Sequence, residues 1–148
     1  MKHEESIAIL QIEKISEAIF EVHGQKVMLD EDLAKLYQVR TKALTQAVKR
    51  NIRRFPKDFM FQLSTEEYTA LRSQFVTSTG KTGRRYAPYV FTEHGIAMLS
   101  SVLGSERAID VNIAIMRAFI HMRQFILSHT ELAKKLTALE QKYDAQFK

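Results

Sequence analysis

At 148 residues with 45% apolar side chains, the chain is long enough to close one domain around one core. The absence of cysteine excludes a disulfide framework, a thiolate metal site and a cysteine nucleophile, and MKHEESIAIL with no later 18-residue uncharged stretch predicts a soluble, cytoplasmic protein with no membrane partner. The net charge of +5 is unevenly spread: residues 1–39 carry four Lys against eight Asp/Glu, residues 40–92 carry eleven Lys/Arg against three, and residues 93–148 carry seven against six, giving −4, +8 and +1.

The segment AIFEVHGQKVML alternates apolar positions around His23 and Gly24, the pattern of a short β-hairpin whose turn needs a positive φ. Asp30 is then placed to cap a helix with Leu33, Ala34, Leu36 and Tyr37 on its apolar face, and Glu31 and Asp32 at its positive end. Ala34, Gln38, Val39, Leu44 and Ala47 or Val48 fall where a helix-turn-helix places a small packing residue, a turn residue and the apolar positions after the turn. Glycine is usual at that turn, and Gln38 bears a modest cost there if its φ is positive.

The second helix lies in RTKALTQAVKRNIRRFPK, residues 40–57, which holds seven Lys/Arg and no acidic residue. With Leu44, Val48 and Ile52 turned to the core, the helical period puts Lys42, Thr45, Gln46, Lys49 and Arg53 outward, Thr41 near the start, and Arg50 and Arg54 on the flanks. Glutamine suits adenine edges, threonine a phosphate or a thymine methyl, and lysine or arginine a guanine or a phosphate. Phe55-Pro56 is the expected stop, since proline turns its predecessor away from the helical region.

Beyond it, Phe59, Phe61 and Leu63 alternate in DFMFQL, predicting a strand with one buried face, and Ser64 to Glu67 form a capping box for a helix running to about Gln74. Residues 75–85, FVTSTGKTGRR, form a cationic loop carrying Lys81, Arg84 and Arg85, and a strand from Tyr86 to Phe91 follows. Two strands bracketing a basic loop suggest a wing that tracks phosphates or enters the minor groove. Thr92 is the expected cap of a helix from Glu93, with Phe91 and Ile96 as its hydrophobic staple, and Gly104-Ser105 breaks and re-caps the chain before Glu106.

In the last helix, Ile109, Ile113, Met116 and Ile120 share one side and Ile115, Phe119, Met122 and Ile126 another, which predicts burial on two sides. The second side calls for the N-terminal IAILQIEKI or the same helix of another subunit as its cover. Leu132, Leu136, Leu139 and Tyr143 continue at 4-3-4 spacing as a short coiled-coil-like seam, so a homodimer is expected.

Catalytic patterns are sparse. His3, His23, His94, His121 and His129 make no HxxxH or HExxH pair, and GKTGRR lacks the first glycine of a phosphate-binding loop. Asp30, Asp32 or the Glu93-His94 pair could hold Mg²⁺ or act as a base, as in a nuclease, but helix capping explains the carboxylates more simply. No enzyme activity, no cofactor and no metal are therefore expected.

The run KVMLDEDLAKLYQVRTKALTQAVKRNIRRFPKDFMFQLS, then LRSQ, GRRYAPYVFTEHGIAMLSSVL and SERAIDVNIAIMRAF, resembles the open-reading-frame-six N-terminal domain, a family related to the KilA-N and Bro-N domains of phages, prophages and large DNA viruses. The similarity covers roughly residues 12–125, leaving 126–148 as a helical tail suited to oligomerisation. It implies a DNA-binding module, often joined to antirepressor or other regulatory regions, and brings no assigned catalytic residue. It carries DNA contact onto Thr41-Lys42, Lys49-Arg50-Asn51, Arg53-Arg54 and Arg84-Arg85. Two departures stand out. Gln38-Val39-Arg40 replaces a frequent Gly-Val-Pro at the turn, adding the charge of Arg40, and the sequence reaches Lys148 without the effector region in which antirepression would reside.

The combined expectation is an α+β, winged-helix-like helix-turn-helix with small antiparallel strands and a long C-terminal helix. It would bind double-stranded DNA sequence-specifically as a phage or prophage transcriptional regulator or antirepressor-related protein. The alternative is a non-catalytic interaction module whose basic face docks an acidic repressor or host factor.

Overall fold

The structure, a computed structural model, describes residues 12–74 and 87–146. A helical stretch over residues 12–17 leads into β1 (Ile19–Val22), β2 (Gln25–Leu29), α1 (Asp30–Tyr37), α2 (Thr41–Arg50) and a 3-10 turn (Ile52–Arg54). Then come β3 (Met60–Gln62), α3 (Thr65–Gln74), β4 (Tyr89–Thr92), α4 (Glu93–Leu103) and α5 (Glu106–Gln146). The fold is α+β, with one four-stranded antiparallel sheet in the order β1-β2-β4-β3 and a long C-terminal helix.

His23 (φ 54°) and Gly24 (φ 73°) form the two-residue hairpin turn, both left-handed, which matches the twist of the paired strands. Both faces of the sheet are covered. Met28, Met60 and Phe91 point into a core shared with α1, α2, α4 and α5, while Val27, Leu29, Val90 and Leu63 point to the other side, where Tyr68 and Leu71 of α3 lie over them. That arrangement corrects the expected single buried face of Phe59, Phe61 and Leu63. Met60 is the buried residue of β3 on the main-core side, and Phe59 and Phe61 are half-buried, because helices pack on both faces and alternation no longer sorts core from solvent. The following strand begins at Tyr89 rather than Tyr86.

Asp30 is not the cap of α1 but its first residue, and Leu29 holds the cap position without a side-chain bond. The reason is that β2 runs into α1 with no intervening residue. The fully buried Asp30 carboxylate instead accepts from the Glu31 amide (2.7 Å) and from the Tyr89 amide (3.2 Å), tying the helix start to β4. α1 ends on Gln38 in the left-handed region (φ 58°), with Val39 N–H bonding to Ala34 O at 3.0 Å and Gln38 N–H to Lys35 O at 3.2 Å. A glutamine there costs about 1 kcal/mol relative to glycine. Arg107 of α5 donates to Leu36 O (3.0 Å), and Tyr37 donates to the Asn112 side chain, whose amide donates to Ile96 O (2.7 Å). These bonds fix α1 against α4 and α5.

The capping box forms reciprocally: Ser64 Oγ accepts from the Glu67 amide (3.1 Å) and Glu67 accepts from the Ser64 amide (2.8 Å). Thr92 caps α4 by accepting from the Gly95 amide (3.4 Å), with Phe91 and Ile96 buried as the staple. Gly95 has no room for a side chain, since a Cβ would lie 2.0 Å from Phe59 O. Gly104 (φ 58°) ends α4, and Ser105 accepts from the Ala108 amide (3.1 Å) to start α5.

α5 is one uninterrupted 41-residue helix, roughly 60 Å long. Ala108, Val111, Ile115, Ala118 and Phe119 bury one face. The other, with Ile109, Ile113 and Ile120, is about half exposed, so the expected burial on a second side is not met among the described residues. Every residue from 123 to 145 is exposed. Among the described residues no helix is long and apolar enough to cross a membrane.

Candidate nucleic-acid interface

α2 is amphipathic by composition, with Leu44 and Val48 at i, i+4 and cations on the remaining face. Both residues are buried, packing the helix against α1 and α4. The opposite side presents Lys42, Gln46, Lys49 and Arg50, followed by Arg53 of the 3-10 turn, all exposed. Arg40 is exposed at the cap position. Thr41, Thr45 and Asn51 are half-buried at the margins. Thr45 donates its hydroxyl to Thr41 O (2.9 Å) and Asn51 its amide to Ala47 O (2.9 Å), so neither donor points outward. Arg54 is exposed and donates to Ser101 Oγ on α4 (3.0 Å), bracing the turn against the body. Lys81, Arg84 and Arg85, and with them the expected wing, lie outside the described residues.

The helix stops earlier than its charge pattern suggests. Asn51 leaves helical geometry (φ −125°, ψ 35°), and the 3-10 turn that follows swings Ile52 to the surface, 53% exposed, where a core position was expected. Phe55 takes the anchoring role instead, buried edge-on against Phe91 with ring centres 5.9 Å apart. Ile52 thus becomes an apolar contact point among cations, beside a cavity of about 60 Å³ that Thr45, Lys49 and Tyr89 also line. Lys57, absent from the expected set, is exposed too. For Ile52 the sequence signal was Asn51, a weak helix residue at the end of a ten-residue helix.

All seven cations of residues 40–57 are exposed. Among the described residues the ion pairs are His23–Glu67 (2.5 Å), Arg72–Glu31 (2.5 Å) and Arg123–Glu93 (2.7 Å), and none uses a cation from this stretch. α1, α3, α4 and α5 each carry acidic residues in the first turn, but α2 carries none and its cap residue, Arg40, makes no side-chain capping bond. Unbonded amides at a positive helix end, flanked by Arg40 and Lys42, form a concentrated positive field that an anion would relieve.

The carboxylates weighed for catalysis are otherwise engaged. Asp30 accepts from two backbone amides, and Glu93 takes a two-armed contact from Arg123 (2.9 and 2.7 Å). Asp32 lines a cavity of about 440 Å³ with Lys14 and Arg72, and burial, reinforced by Glu31, pushes its carboxyl up to about 6. Among the described residues no group of three or more His, Asp or Glu could hold a metal ion.

Against known proteins, the comparison with curated proteins and that with solved structures each gave no match. Residues 17–102, more than half of the chain and spanning β1 to α4, match the family model described as the ORF6N domain.

Proposed function

The chain belongs to the ORF6N domain family, and from that premise we propose that it is a phage-type regulatory protein that binds double-stranded DNA through α2. One observation carries this reading: seven exposed cations in residues 40–57, with no acidic residue among them and, among the described residues, no ion pair to any of them. α1, the Gln38–Arg40 turn and α2 act as a helix-turn-helix. Arg40, Lys42, Lys49, Arg50 and Arg53 hold phosphates, and Gln46, exposed between Lys42 and Lys49, reads a base edge. The protein does no chemistry on the DNA. Its role is transcriptional or antirepressor-related.

Ile52 favours a second reading, since an apolar side chain among cations also suits an acidic protein surface of a repressor or host factor. A gel shift on duplex DNA of random sequence at low salt, with one lane containing Mg²⁺, separates the readings. A retarded, intact band in both lanes is expected. An unretarded duplex overturns the proposal in favour of a protein partner, and cleavage in the Mg²⁺ lane overturns it in favour of a nuclease.

A further inference from the structure

The buried face of α5 has a sequel. Ala108, Val111, Ile115, Ala118 and Met122 recur at alternating spacings of three and four and pack on the protein's own body. The same alternation continues without a break through Phe125, His129, Leu132, Leu136 and Leu139, where none of the described residues covers it: Phe125, Leu132, Leu136 and Leu139 are 58%, 54%, 52% and 65% exposed. A protruding helix with a bare apolar seam lacks the packing of an amphipathic face from which most helical stability comes. We propose that this seam pairs with the seam of a second copy in a parallel, two-stranded coiled coil.

Charge identifies the occupant. In the heptad that the seam defines, Lys135 directly precedes the core position Leu136 and Glu140 directly follows the core position Leu139. Parallel, in-register pairing sets Lys135 of each copy opposite Glu140 of the other, twice by symmetry, whereas antiparallel pairing sets the lysines Lys135 and Lys142 against each other. His129 occupies a core position of the same seam, where a polar side chain facing its twin fixes register and strand number at a cost in stability. Parallel pairing also puts both bodies, each with its α2, at the same end of the coil.

Sedimentation of the full chain over a dilution series, without DNA, tests the pairing independently of the DNA reading. A dimer that dissociates on dilution is expected, and a monomer throughout, or a tetramer, overturns the proposal. Leu136→Glu should give a monomer whose body melts unchanged, because Leu136 touches none of it. A persistent dimer in that variant would place the interface on the Ile109–Ile113–Ile120 face and overturn the seam. The chain has no cysteine, so Leu136→Cys and Leu139→Cys each report geometry alone. Each should oxidise to a covalent dimer by itself, and linkage only when the two variants are mixed would mean antiparallel pairing. Lys135→Glu and Glu140→Lys should each weaken dimerisation roughly two- to tenfold, and the double exchange should restore it. Failure of that rescue contradicts the parallel register.

Discussion

α2 and α3 are both ten-residue helices, and they begin in opposite ways. α3 opens on a complete capping box with Glu66 and Glu67 in its first turn, and its Arg72 closes an ion pair with Glu31. α2 opens on Arg40 without a capping side chain, with Lys42 in the first turn and no acid to offset it. Cations at a positive helix end cost stability, so α2 is held by Leu44 and Val48 rather than by its own start. The difference separates a helix that pairs Glu67 and Arg72 inside the molecule from one whose cations have no ion-pair partner among the described residues.

The widest test of that contrast is charge reversal. Lys49→Glu with Arg50→Glu should lower duplex affinity at least about a hundredfold, while Glu66→Gln in α3 leaves it within about threefold, both read by fluorescence anisotropy. Comparable losses from the two would erase the distinction.

Asp32, beside Arg72 and Glu31, sharpens the internally balanced side. Its carboxyl titrates near 6 in the folded chain against about 4 unfolded, so the neutral form favours the fold. That stabilisation is complete below about pH 4 and lost as pH rises through 6, on the order of 2–3 kcal/mol. Asp32→Asn should therefore be more stable than the parent at pH 7 and flatten the dependence between pH 4 and 6 in urea melts. An unchanged pH profile would mean that Asp32 is not held in its raised state.

Ser64→Ala should cost about 1 kcal/mol in thermal melts by leaving the Glu67 amide without its partner. Arg40→Ala, at the equivalent position of α2, should change stability by less than about 0.5 kcal/mol, since no cap is lost. One change of similar size is the most diagnostic. Lys42→Glu should stabilise the fold by about 0.3–1 kcal/mol while weakening DNA binding, because the acid suits the helix end that the lysine opposes. A variant that loses both, or gains both, would contradict the assignment of α2 to an outside anion.

Much of the backbone punctuation was legible in the sequence, because its determinants lie within a few residues of each other. His23-Gly24, Ser64 with Glu67, Thr92 with Gly95, and Gly104-Ser105 all act locally, and each stands where its side chains suggested. What escaped depends on distant partners. Asp30 bonds to Tyr89, 59 residues away, so its burial could not be read from the helix start alone. β3 lacks a single buried face because α3 returns over the far side of the sheet. Ile52 kept a core-like spacing, but Asn51 ended the helix one residue too soon for it to turn inward. For the candidate site, the cationic face of α2 was legible from the helical period, while the engagement of Thr45, Asn51 and Arg54 in internal bonds was not. For α5, the period marked two apolar sides without indicating which one the body covers.

The central claim is that the exposed cations of α2 and its following turn are phosphate ligands. Its most direct measurement is the affinity of the full chain for duplex DNA as a function of salt. With Arg40, Lys42, Lys49, Arg50 and Arg53 each neutralising one phosphate, log K should fall against log salt with a slope of roughly −4.5, and Lys49→Ala should reduce that slope by about one. A slope near zero, or one that Lys49→Ala leaves unchanged, would contradict it.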